Sequence, residues 1–64
     1  MKDYQTRVFA EKKELDNKII SLNTFLFSDL SMDLLDRDRK LMVRQMHIMM
    51  EYSSILSERI DNSI

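Results

Sequence analysis

Residues 34–56 read LLDRDRKLMVRQMHIMMEYSSIL and repeat a pair of large apolar residues every seven positions. The pairs are Leu34-Leu35, Leu41-Met42, Ile48-Met49 and Ile55-Leu56. A seven-residue repeat keeps side chains on one face of an α-helix, and two adjacent apolar positions in each repeat make that face wide. The chain also contains no glycine and no proline, the residues that most often interrupt helices. The stretch therefore predicts a long helix that packs against other helices.

The composition narrows the class of protein. A chain of 64 residues allows one domain at most, and a domain this small buries only about 60% of its unfolded surface. Without cysteine, disulfides and thiolate metal sites are excluded, and a reducing cytoplasm is the expected compartment. We expect no signal peptide and no membrane span, because no apolar run approaches the roughly 20 residues that cross a bilayer. The net charge of -1 gives no overall attraction to nucleic acid or anionic lipid.

The first part of the chain predicts another helix, over about residues 3–27, with Asp3 as its N-cap. Its apolar residues recur at spacings of three, four or seven, which places on one side Tyr4, Val8, Leu15, Ile19, Leu22 and Leu26. Short polar side chains that compete with helix predict a connection over about 28–35. The second helix is then expected over about 36–60. Three N-caps stay open for it: Ser31, Asp33 and Asp36.

Together these elements predict a single all-α domain over residues 1–64. A short link between two long helices favours an antiparallel helical hairpin. Because no proline or glycine forces a turn, one continuous helix that pairs in an extended antiparallel dimer stays open as the alternative.

The apolar face of the second helix is wider than one partner helix can cover, at about half of the circumference. We therefore predict self-association into a homodimeric four-helix bundle or a larger oligomer. A polar residue in such a seam can fix the register of the helices. The predicted interface residues are Leu41, Met42, Gln45, Met49, Tyr52 and Leu56.

A second, thinner set of apolar residues projects away from these faces. It comprises Phe9, Ile20 and Phe27 on the first helix and Met50 on the second. Such residues are candidates for binding a partner protein that the sequence does not identify.

The densest basic cluster lies in residues 37–44, which carry four positive charges and one negative charge. Arginines can hold phosphates through two parallel hydrogen bonds, so the cluster is a candidate anion site. Its residues are Arg37, Arg39, Lys40 and Arg44. The competing interpretation is an ordinary solvated helix start with mixed charges. Binding to nucleic acid is the weakest hypothesis, because nothing places a recognition helix and no aromatic residue is interleaved.

Nothing in the sequence favours an enzyme. A glycine-rich phosphate loop and a cysteine nucleophile are both excluded by composition. The only histidine, His47, falls opposite the apolar face near Glu51, and a metal site needs at least three protein ligands. We expect no catalytic residue, no metal and no cofactor.

Several short motifs resemble small proteins of temperate bacteriophages. The motifs are Asp3-Tyr4-Gln5, Arg7-Val8, Glu11-Lys12, Glu14-Leu15, Lys18, Arg44-Gln45, Met49, Tyr52-Ser53, Ile55-Leu56 and Arg59-Ile60. They resemble the small open-reading-frame protein of the exo-xis region of lambdoid phages, including Shiga-toxin-carrying ones. The resemblance implies a regulatory protein, made in the host bacterial cytoplasm, that influences the lysis-lysogeny decision or prophage induction.

Residues 39–52 carry a second resemblance, through a helix that opens with arginine before a long apolar stripe. They are similar to the oligomeric helical hairpins that phages use as sponges for cyclic nucleotide signals of bacterial immunity. The tryptophan-containing motif of those hairpins has no counterpart here, so no binding residue carries over. This resemblance implies an alternative function, the sequestration of a cyclic nucleotide.

Overall fold

Two long antiparallel helices form the protein in a computed structural model that describes residues 2–62. Helix α1 spans Asp3–Leu26, a short 3-10 helix spans Asp29–Asp33, and helix α2 spans Asp36–Asn62. The hairpin measures 45 × 15 × 13 Å, and α1 packs along α2. The predicted all-α hairpin is confirmed, and the alternative of one continuous helix is wrong. No helix in the described part of the chain combines the length and apolar character needed to cross a membrane.

The start of α1 differs from the prediction, because Lys2 and not Asp3 occupies the cap position. The side-chain oxygen of Gln5 accepts a 2.9 Å hydrogen bond from the Lys2 backbone N–H. The Lys2 carbonyl in turn accepts from the backbone N–H groups of Gln5 and Thr6. Asp3 is instead the first helical residue, where the helix dipole favours its carboxylate.

Ser31 lies buried in the connection and ends α1 instead of starting α2. Its hydroxyl contacts the carbonyl oxygens of Leu26 and Ser28 at 2.9 Å each, at the end of the helix where carbonyls lack intrahelical partners. All three N-cap predictions for α2 are wrong. Asp33 closes the 3-10 helix, Asp36 is already helical, and the residue before α2 is Leu35.

The hydrophobic core of the hairpin is small and lies between the helices. Val8 and Leu15 of α1 enclose Leu56 of α2, which has no exposed surface. Partly buried side chains extend this core, namely Ile19, Met49 and Ile60. Leu56 therefore belongs to the core of one chain, and its prediction as an oligomer-interface residue is corrected.

A polar bridge between the helices lies beside this core. Lys12 Nζ donates to Asp16 Oδ2 at 3.0 Å and to Ser53 Oγ at 2.8 Å, and Ser53 Oγ donates to Asp16 Oδ1. The hydrogen bond from Ser53 and then that from Lys12 lower the pKa of Asp16 below its ordinary value of 3.8. The bridge links α1 to α2 at one point along their length and so favours a single register.

The bridge predicts a pH-dependent contribution to stability. Because the pKa of Asp16 is depressed in the folded chain, its carboxylate stabilises the fold above the unfolded pKa, and this contribution is lost as pH falls through the folded pKa. Asp16→Asn should therefore lower the thermal midpoint at about pH 7, and this deficit should shrink at about pH 2.5. Circular dichroism measures both midpoints. The matched control is Glu14→Gln on the exposed side of α1; an Asp16→Asn deficit that is equal at both pH values contradicts the prediction.

Candidate anion-binding groove

An open groove runs along the first two turns of α2. It has a volume of about 670 Å³ and is lined by Arg37, Lys40, Leu41 and Arg44. These positions follow the i, i+3, i+4, i+7 spacing of one helical face, so the helix itself brings the side chains together. Arg37 and Arg44 lie about 10.5 Å apart along the helix axis, at 1.5 Å per residue.

The charged residues that line the groove are all positive. Three of its four lining residues are cations, and none is a carboxylate. Within residues 2–62, the side chains of Arg37, Lys40 and Arg44 take part in no hydrogen bond or ion pair. Their donors are therefore available to an anion: five N–H groups on each guanidinium and three on the ammonium. Leu41 adds an apolar wall against which a flat ring can lie.

Arg39 does not line this groove, unlike the other three cations predicted as anion-binding residues. Its guanidinium donates to the carbonyl and hydroxyl oxygens of Ser31 in the connection, and the side chain is half-buried. At 100° per residue, position 39 points about 160° away from position 37 around the helix. The basic cluster thus divides into three groove residues and one residue that holds the connection.

A second cavity, of about 410 Å³, follows the groove along α2. It is lined by His47, Ile48, Met50, Glu51 and Ser54. The carboxylate of Glu51 makes this cavity less favourable for an anion than the groove. No cluster of three or more metal-ligating residues occurs in residues 2–62, and His47 is exposed.

The predicted partner-binding residues all lie on the surface. Phe9, Ile20 and Met50 are exposed, and Phe27 keeps 85% of its surface accessible. Among the remaining predicted interface residues, Met42 and Met49 are half-buried within the hairpin. The other three are exposed: Leu41, Gln45 and Tyr52.

The apolar pairs of α2 divide between two surfaces, a division that the sequence-based interface missed. In each pair the second member, Met42, Met49 or Leu56, is partly or fully buried. The first members, Leu41, Ile48 and Ile55, are exposed. Together with the exposed Gln45 and Tyr52 they form what we define as the outer stripe of α2. Ile48 and Ile55 share this exposed face, although the predicted interface does not include them. The signal that marks them is their seven-residue spacing from Leu41.

A protein-family model described as Sequestin matches residues 2–62, which is nearly the whole chain. No curated protein and no solved structure matches significantly.

Proposed function

Because the chain belongs to the Sequestin family, we propose that it sequesters a small phosphate-bearing ligand in the cationic groove of α2. The observation that carries the proposal is the set of three cations, Arg37, Lys40 and Arg44, that line one groove without a partner in the described chain. The family name points to sequestration. A protein that only holds its ligand needs binding groups and no catalytic residue. The proposed activity is therefore stoichiometric binding without chemical conversion, in the cytoplasm of a bacterial host.

The spacing of the cations favours a ligand with more than one phosphate. Arg37 and Arg44 lie two helical turns apart with Lys40 between them, so one phosphate reaches only part of the set. A cyclic di- or trinucleotide presents several phosphodiesters and can contact both arginines at once. Its bases can lie against Leu41. Cyclic nucleotide signals of bacterial immunity are the ligand class that we propose.

Calorimetric titration of the wild-type protein tests this proposal. Cyclic di- and trinucleotides should give saturable heats, with an affinity that falls as salt rises because phosphate contacts release counterions. A mononucleotide should bind more weakly, and an uncharged nucleoside should give no heat. Duplex DNA in a further titration distinguishes general phosphate attraction from a site for cyclic nucleotides. Absence of heat from every cyclic nucleotide at low salt refutes the proposal.

A protein-binding module is the second candidate, and the exposed aromatic residues of α1 favour it. Phe9 and Phe27 are both exposed, and Phe27 is the more accessible of the two. In this alternative, contact with a host or phage protein influences the lysis-lysogeny decision or prophage induction. It predicts no nucleotide heat in the same titrations.

A further inference from the structure

Four charged residues of α2 recur at intervals of seven: Arg37, Arg44, Glu51 and Glu58. We call them the charge quartet. All four are exposed, and none forms an ion pair within the described chain. Opposite charges in the quartet are at least seven residues apart, about 10.5 Å along the axis, so they are too distant to pair within one helix. Within a single hairpin, the four charges of the quartet therefore form no ion pairs with one another.

The charge quartet borders the outer stripe of α2. The stripe follows the alternating four- and three-residue spacing of a helix-helix seam, from Leu41 to Ile55. Its four apolar members, Leu41, Ile48, Tyr52 and Ile55, are 42 to 58% exposed. Two quartet residues directly precede seam positions, Arg44 before Gln45 and Glu51 before Tyr52. This is the flanking position whose charges set partner and direction in helix pairs.

We propose that a second copy of this chain covers the outer stripe, with the two α2 helices antiparallel. The quartet runs positive, positive, negative, negative, so only the reversed direction brings opposite charges together. Arg44 then lies opposite the partner's Glu51, and Arg37 lies opposite the partner's Glu58. In a parallel pair the quartet residues of the two helices would lie on opposite flanks of the seam, so their opposite charges would not meet.

The position of the two-fold axis agrees with the length of α2. Pairing residue 44 with residue 51 puts the axis between His47 and Ile48, close to Met49 at the middle of Asp36–Asn62. Nearly the whole of α2 can therefore overlap with its partner. The apolar stripe supplies the attraction, and the exposed charges select the direction because surface ion pairs contribute little affinity. The result is a dimer of two hairpins, the simplest closed assembly.

This proposal goes beyond the proposed ligand binding and does not rest on it. Arg37, Leu41 and Arg44 also line the groove, so a bound ligand competes with the partner both for the two guanidinium groups and for the apolar surface of Leu41. Lys40 lines the groove but is not a member of the charge quartet, so it has no role in the proposed dimer.

Charge reversal tests the proposed dimer by sedimentation equilibrium, with circular dichroism to verify folding. Arg44→Glu and Glu51→Arg should each raise the dimer dissociation constant at least about tenfold, since each creates two like-charge contacts. The double variant Arg44→Glu/Glu51→Arg should return it to within about threefold of wild type. Glu14→Arg on the exposed side of α1 is the matched control and should change nothing. A monomeric wild type, unaffected single variants, or a double variant as weak as the singles overturns the proposal.

The same variants separate this proposal from ligand binding. Glu51→Arg keeps every residue of the groove, so it should bind cyclic nucleotide while dimerising weakly. The double variant should dimerise but bind less nucleotide, because Arg44 is gone. Absence of nucleotide heat from Glu51→Arg, in which the partner no longer competes for the groove, would refute only the proposed function.

Discussion

Replacing Leu56 by alanine is expected to destabilise the hairpin by about 2 to 5 kcal/mol, the cost of leaving a cavity in a packed core. Leu56 is the only apolar side chain with no exposed surface in the described chain, and Val8 and Leu15 surround it. A domain of this size has a total stability of a few kcal/mol. Most of the folded state should therefore be lost at room temperature. Urea unfolding followed by circular dichroism measures the change.

The matched control is Ile20→Ala, which shortens an exposed apolar residue within α1. Alanine is a better helix former than isoleucine, so we expect a change within about 0.5 kcal/mol. Both variants should be measured over a range of protein concentrations, because association adds to apparent stability. Equal losses for the two variants, or a loss below about 1 kcal/mol for Leu56→Ala, would contradict the core described above.

The fold was predictable because its signals are local and repeated. The apolar pairs of α2 and the polar connection are both visible in the sequence, and they predict a hairpin without reference to any contact. Which member of each pair points toward α1 was not predictable in the same way. Leu41 and Met42 differ by only 100° around the helix. Because the apolar face is wide, the pattern is compatible with either residue pointing toward α1. Packing decides between them: Met42 turns partly inward, and Leu41 turns outward.

The polar contacts were not predictable because they join residues that are distant in sequence. Ser53 bonds to Lys12 and Asp16, 41 and 37 positions away, and the pairing depends on the exact offset of the helices. The contact of Arg39 with Ser31 was not predictable either, although only eight positions separate these residues. The charge of Arg39 suggests an anion site, but the path of the connection brings the oxygens of Ser31 within reach. The groove itself was partly predictable, because Arg37, Lys40 and Arg44 share a face through helical geometry alone.

Lys40→Glu is expected to weaken cyclic nucleotide binding at least about 30-fold, which corresponds to roughly 2 kcal/mol. The substitution removes the ammonium that the proposal assigns to a ligand phosphate and places a carboxylate between Arg37 and Arg44. It leaves the charge quartet and the outer stripe unchanged, so the dimer dissociation constant should stay near the wild-type value. Calorimetry and sedimentation measure the two effects separately.

The control for overall charge is Lys13→Glu, an equal change on the exposed side of α1. It should reduce nucleotide affinity less than about threefold, because exposed charges farther than about 10 Å from the ligand are screened by salt. Lys40→Arg should retain most of the binding, since it keeps the positive charge. If Lys40→Glu and Lys13→Glu weaken binding equally, the attraction is not local to the groove. If Lys40→Glu binds like wild type, the ligand lies elsewhere on the hairpin.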